Sequence, residues 1–169
     1  YYTNWPSHSS LFGIIDLAGI PKDRYYLYRS HWNKSAKTLH ILPHWTWPGK
    51  EGKTIRFEAY SNCDEVELFV NGVSQGRKRH ERGKISAWNL AYEPGILRAV
   101  GYRNGAEAAF ELHETAGEPD HIELRCVYDG EEQKLIQARV TDKEGRLCPH
   151  SCVPIRFEAE GGKIIGVGN

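Results

Sequence analysis

The run Leu11 to Trp32, LFGIIDLAGIPKDRYYLYRSHW, constrains the fold of this chain more than any other stretch. An apolar, strand-like Leu11 to Ile15 enters a turn at Gly19-Ile20-Pro21, and Tyr25, Tyr28 and Trp32 then recur at helical three- to four-residue spacing. That is one βα unit. A lone βα unit does not bury itself, because its strand needs parallel neighbours on both sides and a layer of helices over them. Everything downstream has an all-β texture, so the missing neighbours are expected upstream of Tyr1. The chain therefore reads as an internal or C-terminal piece of a longer protein, and the lack of any Met, including at position 1, agrees with that.

After a polar joint at Lys34 to Lys37, turn signals arrive at the spacing of a β-sandwich. Thr54 to Tyr60 alternates, and Glu65 to Val70 keeps its apolar residues on one face until Phe69. Asn71-Gly72 is a strong hairpin signal, since both central positions of a type I′ turn need positive φ. Trp88 to Tyr92 alternates again and runs into Pro94-Gly95, and the next strand, through Leu97 and Tyr102, is apolar on both faces and expected to be central. Tyr92 has two readings: a corner tyrosine tying a loop to backbone, or an ordinary half-buried strand aromatic. Asn104-Gly105 marks another hairpin, Ala108 to Glu114 closes the domain, and Ala116 to Pro119 reads as a linker. Further strands are expected at Ile122 to Tyr128, Leu135 to Thr141 and Ile155 to Ala159. A full immunoglobulin-type sandwich needs about 100 residues, so this last module looks unfinished.

With 169 residues the chain is too short for a (β/α)8 barrel of roughly 250. A formal net charge of +0 gives no reason to expect nucleic acid or an anionic membrane surface as partner, and no apolar run approaches the ~20 residues of a membrane span. Cys63 and Cys126 lie in or beside strand patterns and are expected to be small buried side chains. Cys148-Pro149-His150-Ser151-Cys152 lacks the second ligand pair that a zinc site needs, so no metal is expected; a Cys148–Cys152 bond is an option only in an exported protein.

Gly13-Ile14-Ile15-Asp16, then Gly19 to Asp23 and Tyr25-Tyr26, resembles the eighth strand and helix of the barrel in glycoside hydrolase family 2, the family of β-galactosidases and β-glucuronidases. Leu39 to Trp47, Val66 to Gly72 and Trp88 to Tyr102 resemble the small sandwich that follows the barrel in a bacterial β-galactosidase-like subgroup, and residues 121–169 its immunoglobulin-like module. The resemblance implies a mainly β chain of tandem immunoglobulin-like sandwiches behind the last βα unit of a barrel: 1–34 barrel remnant, 35–116 sandwich, 117–169 partial second module. It also implies a parent that is a retaining glycosidase of neutral β-glycosides, with no organic cofactor and a periplasmic or extracellular location. The polypeptide partner of this piece would be the upstream barrel, and the substrate a β-glycoside or polysaccharide.

Retaining glycosidases use two carboxylates about 5 Å apart. In the family these are glutamates on strands four and seven, and this chain starts after strand seven, so no catalytic residue is expected in it. Asp16 and Asp23 read instead as residues at a helix N-terminus, where negative charge is favoured. Trp5, with Asn4 and His8 beside it, combines a ring for a sugar's C–H face with polar groups for its hydroxyls; packing against the barrel rim is the other reading of Trp5. β-Glucuronidases of the family place Asn-x-Lys before the strand glycine to hold the uronate, and here Ser10-Leu11-Phe12 occupies that place, which favours a neutral sugar. His44, Trp45 and Trp47 form a second aromatic cluster, read as an interface against the helix of Tyr25, Tyr28 and Trp32 in preference to a glycan patch. A reading from another class makes the chain a non-catalytic carbohydrate-binding or structural pair of sandwiches.

Overall fold

The computed structural model describes residues 12–16, 19–81 and 83–167. A helix, α1 (Asp23–Trp32), precedes strands β1 (Leu39–Leu42), β2 (Thr54–Ser61), β3 (Glu65–Val70), β4 (Val73–Arg79), β5 (Ser86–Ala91), β6 (Ile96–Arg103) and β7 (Ala106–Glu114). These seven strands form two antiparallel sheets, β1-β2-β5 and β4-β3-β6-β7. Sequential strands cross between sheets, the Greek-key arrangement of an immunoglobulin-like sandwich. A separate hairpin of β8 (His121–Asp129) and β9 (Lys134–Thr141) follows.

The period-2 pattern explains the core. Phe57 and Ala59 of β2, Val66, Leu68 and Val70 of β3, Trp88 and Leu90 of β5, and Leu97 and Ala99 of β6 all point into the space between the sheets. Full burial of each large apolar side chain contributes roughly 1.5–3 kcal/mol. Trp45, from the loop after β1, plugs one end of this core, edge-on to Phe57 and Tyr92 at 5.1 Å each. Both expected hairpins form, with positive φ at Asn71, Gly72, Asn104 and Gly105. β6 is central, between β3 and β7. β4, exposed along its whole length, carries no apolar alternation and forms because the Asn71-Gly72 turn feeds it onto β3.

Three expectations need correcting. Ile155 to Ala159 has no strand partner among the described residues. The hairpin of β8 and β9 forms where strands are expected but leaves Leu124, Tyr128 and Ile136 exposed, since two strands alone have no second layer to cover both faces. Cys126 is exposed rather than buried, whereas Cys63 is buried; Cys148 and Cys152 are free thiols. Finally, residues 12–16 make no extended ladder. Ile15 bridges only Pro21, and Asp16 folds the chain back by accepting the Ile20 N–H at 2.8 Å, so Asp16 is a turn residue and not part of the helix N-terminus. A strand without neighbours has nothing to extend against.

Candidate functional site

Asn4, Trp5 and His8 lie outside the described residues, as do Ser10 and Leu11. Among the described residues, no three His, Cys, Asp or Glu side chains gather as a metal site requires. The chemistry-bearing side chains instead concentrate at two joints, one where α1 meets the sandwich and one where the sandwich leads on to β8.

The front joint holds α1. Asn62, just after β2, accepts the Thr38 N–H at 3.0 Å and donates to the carbonyls of Asn33 and Ala36 at 3.0 and 2.7 Å, fixing the segment that leaves the helix. Beside it, His40 of β1 reaches both ways. Its Nε2 is 2.9 Å from Asp23 Oδ1 on the helix, and its Nδ1 is 3.2 Å from Glu111 Oε1 on β7. Glu111 also receives His113 Nε2 at 3.0 Å and the Ile41 N–H at 3.2 Å. The His40 ring stacks on Tyr26 at 4.1 Å. Burial works against a charge on His40, but the hydrogen bonds to Asp23 and Glu111 outweigh it and raise the imidazole to about 9. Burial likewise opposes ionisation of Glu111, yet hydrogen bonds from His113 and His40 hold it down at about 2.

The rear joint leads from the sandwich to β8. Thr115 Oγ1 donates to the Trp45 carbonyl at 2.8 Å and accepts the Gly95 N–H at 3.0 Å, and Tyr92 Oη lies 3.3 Å from it. Tyr92 also accepts the Trp47 N–H at 3.2 Å, so it ties a loop to backbone in the manner of a corner tyrosine. The expected linker is not loose: the Ala116 N–H bonds to Thr46 Oγ1 at 3.0 Å, and the Gly117 N–H bonds to Asp142 Oδ2 at 2.7 Å. Asp142 also takes the N–H groups of Glu144 and Arg146 and the Arg146 guanidinium. Burial pushes its carboxyl up, and these donors pull it down to about 2.

The aromatic cluster divides in a way the sequence reading did not anticipate. Trp45 is core; Trp47 and His44 stack at 4.4 Å and meet His150 at the rear joint. His44 is pushed down to about 4 by burial and by neighbouring His150, His113 and Lys50, so its Nδ1 is free to accept the Thr46 N–H at 3.2 Å. The helix is met by His40 instead, through Tyr26. Meanwhile Tyr28 and Trp32, in ring contact at 4.8 Å, are 39% and 67% exposed. The missed signal was His40 itself, which in sequence is one polar residue in an apolar strand.

A family described as a domain of unknown function, DUF4982, matches residues 52–109, most of the sandwich. The β-galactosidase BoGH2A of Bacteroides ovatus is 42% identical over 173 residues, covering 98% of this chain and 20% of that protein. A β-glucuronidase of Formosa agariphila is 30% identical over 161 residues, covering 90% of this chain and 16% of its own length. Among solved structures, a β-glycosidase from Bacteroides vulgatus superposes with a TM-score of 0.77 at 43% identity, over 86% of this chain and 19% of that one. A glycosyl hydrolase family 2 member from Bacteroides cellulosilyticus gives 0.72 at 30% identity, over 82% and 22%. The chain thus spans about a fifth of the length of such relatives.

Proposed function

This chain is related to the C-terminal part of glycoside hydrolase family 2 proteins, and on that premise we propose that it serves a retaining β-galactosidase as scaffold and active-site wall. The match along 98% of the chain to a named β-galactosidase carries this reading. The parent hydrolyses β-galactosides or related neutral β-glycosides through two glutamates, one as acid/base and one as nucleophile, both upstream of Tyr1. Residues 1–34 close its barrel, 35–116 form the sandwich beside it, and 117–169 begin a further module. The exposed pair Tyr28 and Trp32 supports this division, since an aromatic stripe opposite the sandwich-held side of α1 suits a helix that packs on the rest of a barrel. Trp5 stacks on the sugar, with Asn4 and His8 at its hydroxyls, and the parent works outside the cytoplasm.

Relatives named as β-glucuronidases also match, so the sugar is the part of the proposal that needs its own test. A uronate calls for a cation, and Ser10-Leu11-Phe12 supplies none. The parent enzyme assayed on matched aryl β-galactoside and aryl β-glucuronide is expected to favour the galactoside in kcat/KM by at least about tenfold, the worth of roughly 1.4 kcal/mol. Preference for the glucuronide would overturn the neutral-sugar reading while leaving the scaffold reading in place.

A further inference from the structure

We infer that a single proton, held by His40 between Asp23 and Glu111, locks the helix α1 onto the sandwich and makes this joint pH-dependent. Asp23 Oδ1 lies 2.9 Å from one ring nitrogen and Glu111 Oε1 3.2 Å from the other. Carboxylates only accept, and a neutral imidazole has one N–H, so it serves one of them and turns a lone pair on the second. Only the imidazolium donates to both.

Other carriers of the proton fit less well. Glu111 already receives His113 Nε2 and the Ile41 N–H besides His40, so each of its oxygens is occupied as a carboxylate. Asp23 is 60% exposed and remains solvated. Against the ring lie Asp23 and Tyr26 from α1, Tyr60 from β2 and Glu111 from β7; one step out, Arg24 and Glu58 act on Tyr60, and His113 bonds to Glu111. Glu58 is engaged by Arg56 at 3.1 Å. Asp23 and Glu111 are thus the anions in direct contact, one from each side of the joint. A bond to Asp23 alone would steady the helix, and a bond to Glu111 alone would steady the sandwich. The shared cation connects them.

Raised from 6.5 to about 9, His40 contributes its full stabilisation below pH 6.5 and loses it as the pH climbs through about 9. Glu111, lowered from 4.5 to about 2, contributes fully above pH 4.5 and fails as the pH falls toward 2. The joint is therefore tightest between pH 4.5 and 6.5 and slackens through the neutral and alkaline range. This lock stands on the geometry of the chain and does not depend on the glycosidase reading.

Amide hydrogen exchange on the 169-residue chain tests it, each amide being normalised to its intrinsic rate at every pH. Protection of α1 is expected to fall by up to about tenfold per pH unit between 6.5 and 9, while the central strands β3 and β6 hold theirs. In His40→Gln that slope should vanish. Asp23→Asn, a change at an exposed position, covers the case in which His40→Gln does not fold, and should flatten the slope. Constant α1 protection across this range in the unmodified chain would overturn the lock, as would an undiminished slope in the folded variants.

Discussion

Asn71 and Gly95 meet so closely that position 95 has no room for a side chain: a Cβ there would sit 2.0 Å from Asn71 Oδ1. Asn71 uses that oxygen to accept the Ile96 N–H at 2.8 Å and its Nδ2 to donate to the Pro94 carbonyl at 3.2 Å. The tip of the β3–β4 hairpin is thereby tied to the turn entering β6. Gly95 also has φ of +135°, which other residues rarely adopt. Gly95→Ala is expected to destabilise the sandwich by about 1–3 kcal/mol, seen as a lower urea midpoint. An unchanged midpoint would mean that this contact relaxes freely.

Tyr92→Phe keeps the ring against Trp45 and removes the hydroxyl bound to the Trp47 N–H and Thr115. The expected cost is about 1 kcal/mol in chemical denaturation, with somewhat more if the Trp47 N–H finds no water. No loss would return Tyr92 to the status of a packing residue.

Trp45→Ala empties the plug between Phe57 and Tyr92, and should cost about 3–5 kcal/mol. A small sandwich has little more than that in reserve, so circular dichroism and thermal melts should show a largely unfolded domain. Near-native melting would contradict the core assigned to this ring.

Asp142 governs the rear joint. Its carboxyl is lowered from 3.8 to about 2, so its contribution is present above pH 3.8 and lost as the pH falls through about 2. Asp142→Asn should increase protease cleavage around residues 115–119 and 142–147 at neutral pH and reproduce there the acid sensitivity of the unmodified chain. Equal cleavage of both proteins would remove Asp142 as the tie to Gly117.

Much of the sandwich was legible because its cues are local. Alternation in Thr54 to Tyr60 and Glu65 to Val70, and the Asn-Gly pairs at 71 and 104, reflect side-chain period and backbone sterics that need no partner to be recognised. β4 escaped notice since its sequence, VSQGRKR, has no apolar face and its pairing is imposed by the hairpin. The joints were hidden for a related reason. His40, Glu111 and Asp23 are distant in sequence and ordinary one by one, and what makes them a unit is the meeting of a helix, β1 and β7. Trp45 and Trp47 were grouped as neighbours, though the fold sends one into the core and the other to His150. Ile155 to Ala159 has the pattern of a strand, but a pattern forms a ladder only beside another edge.

Under the proposed function, this chain supports a retaining glycosidase whose two carboxylates lie upstream of it. The most direct measurement is to trap the parent's covalent intermediate with an activated 2-deoxy-2-fluoro-β-galactoside, which slows both steps but still alkylates the nucleophile, and to map the labelled peptide. One sugar ester is expected on a glutamate before Tyr1 and none on residues 1–169; an ester on any carboxylate within residues 1–169 would overturn the proposed function.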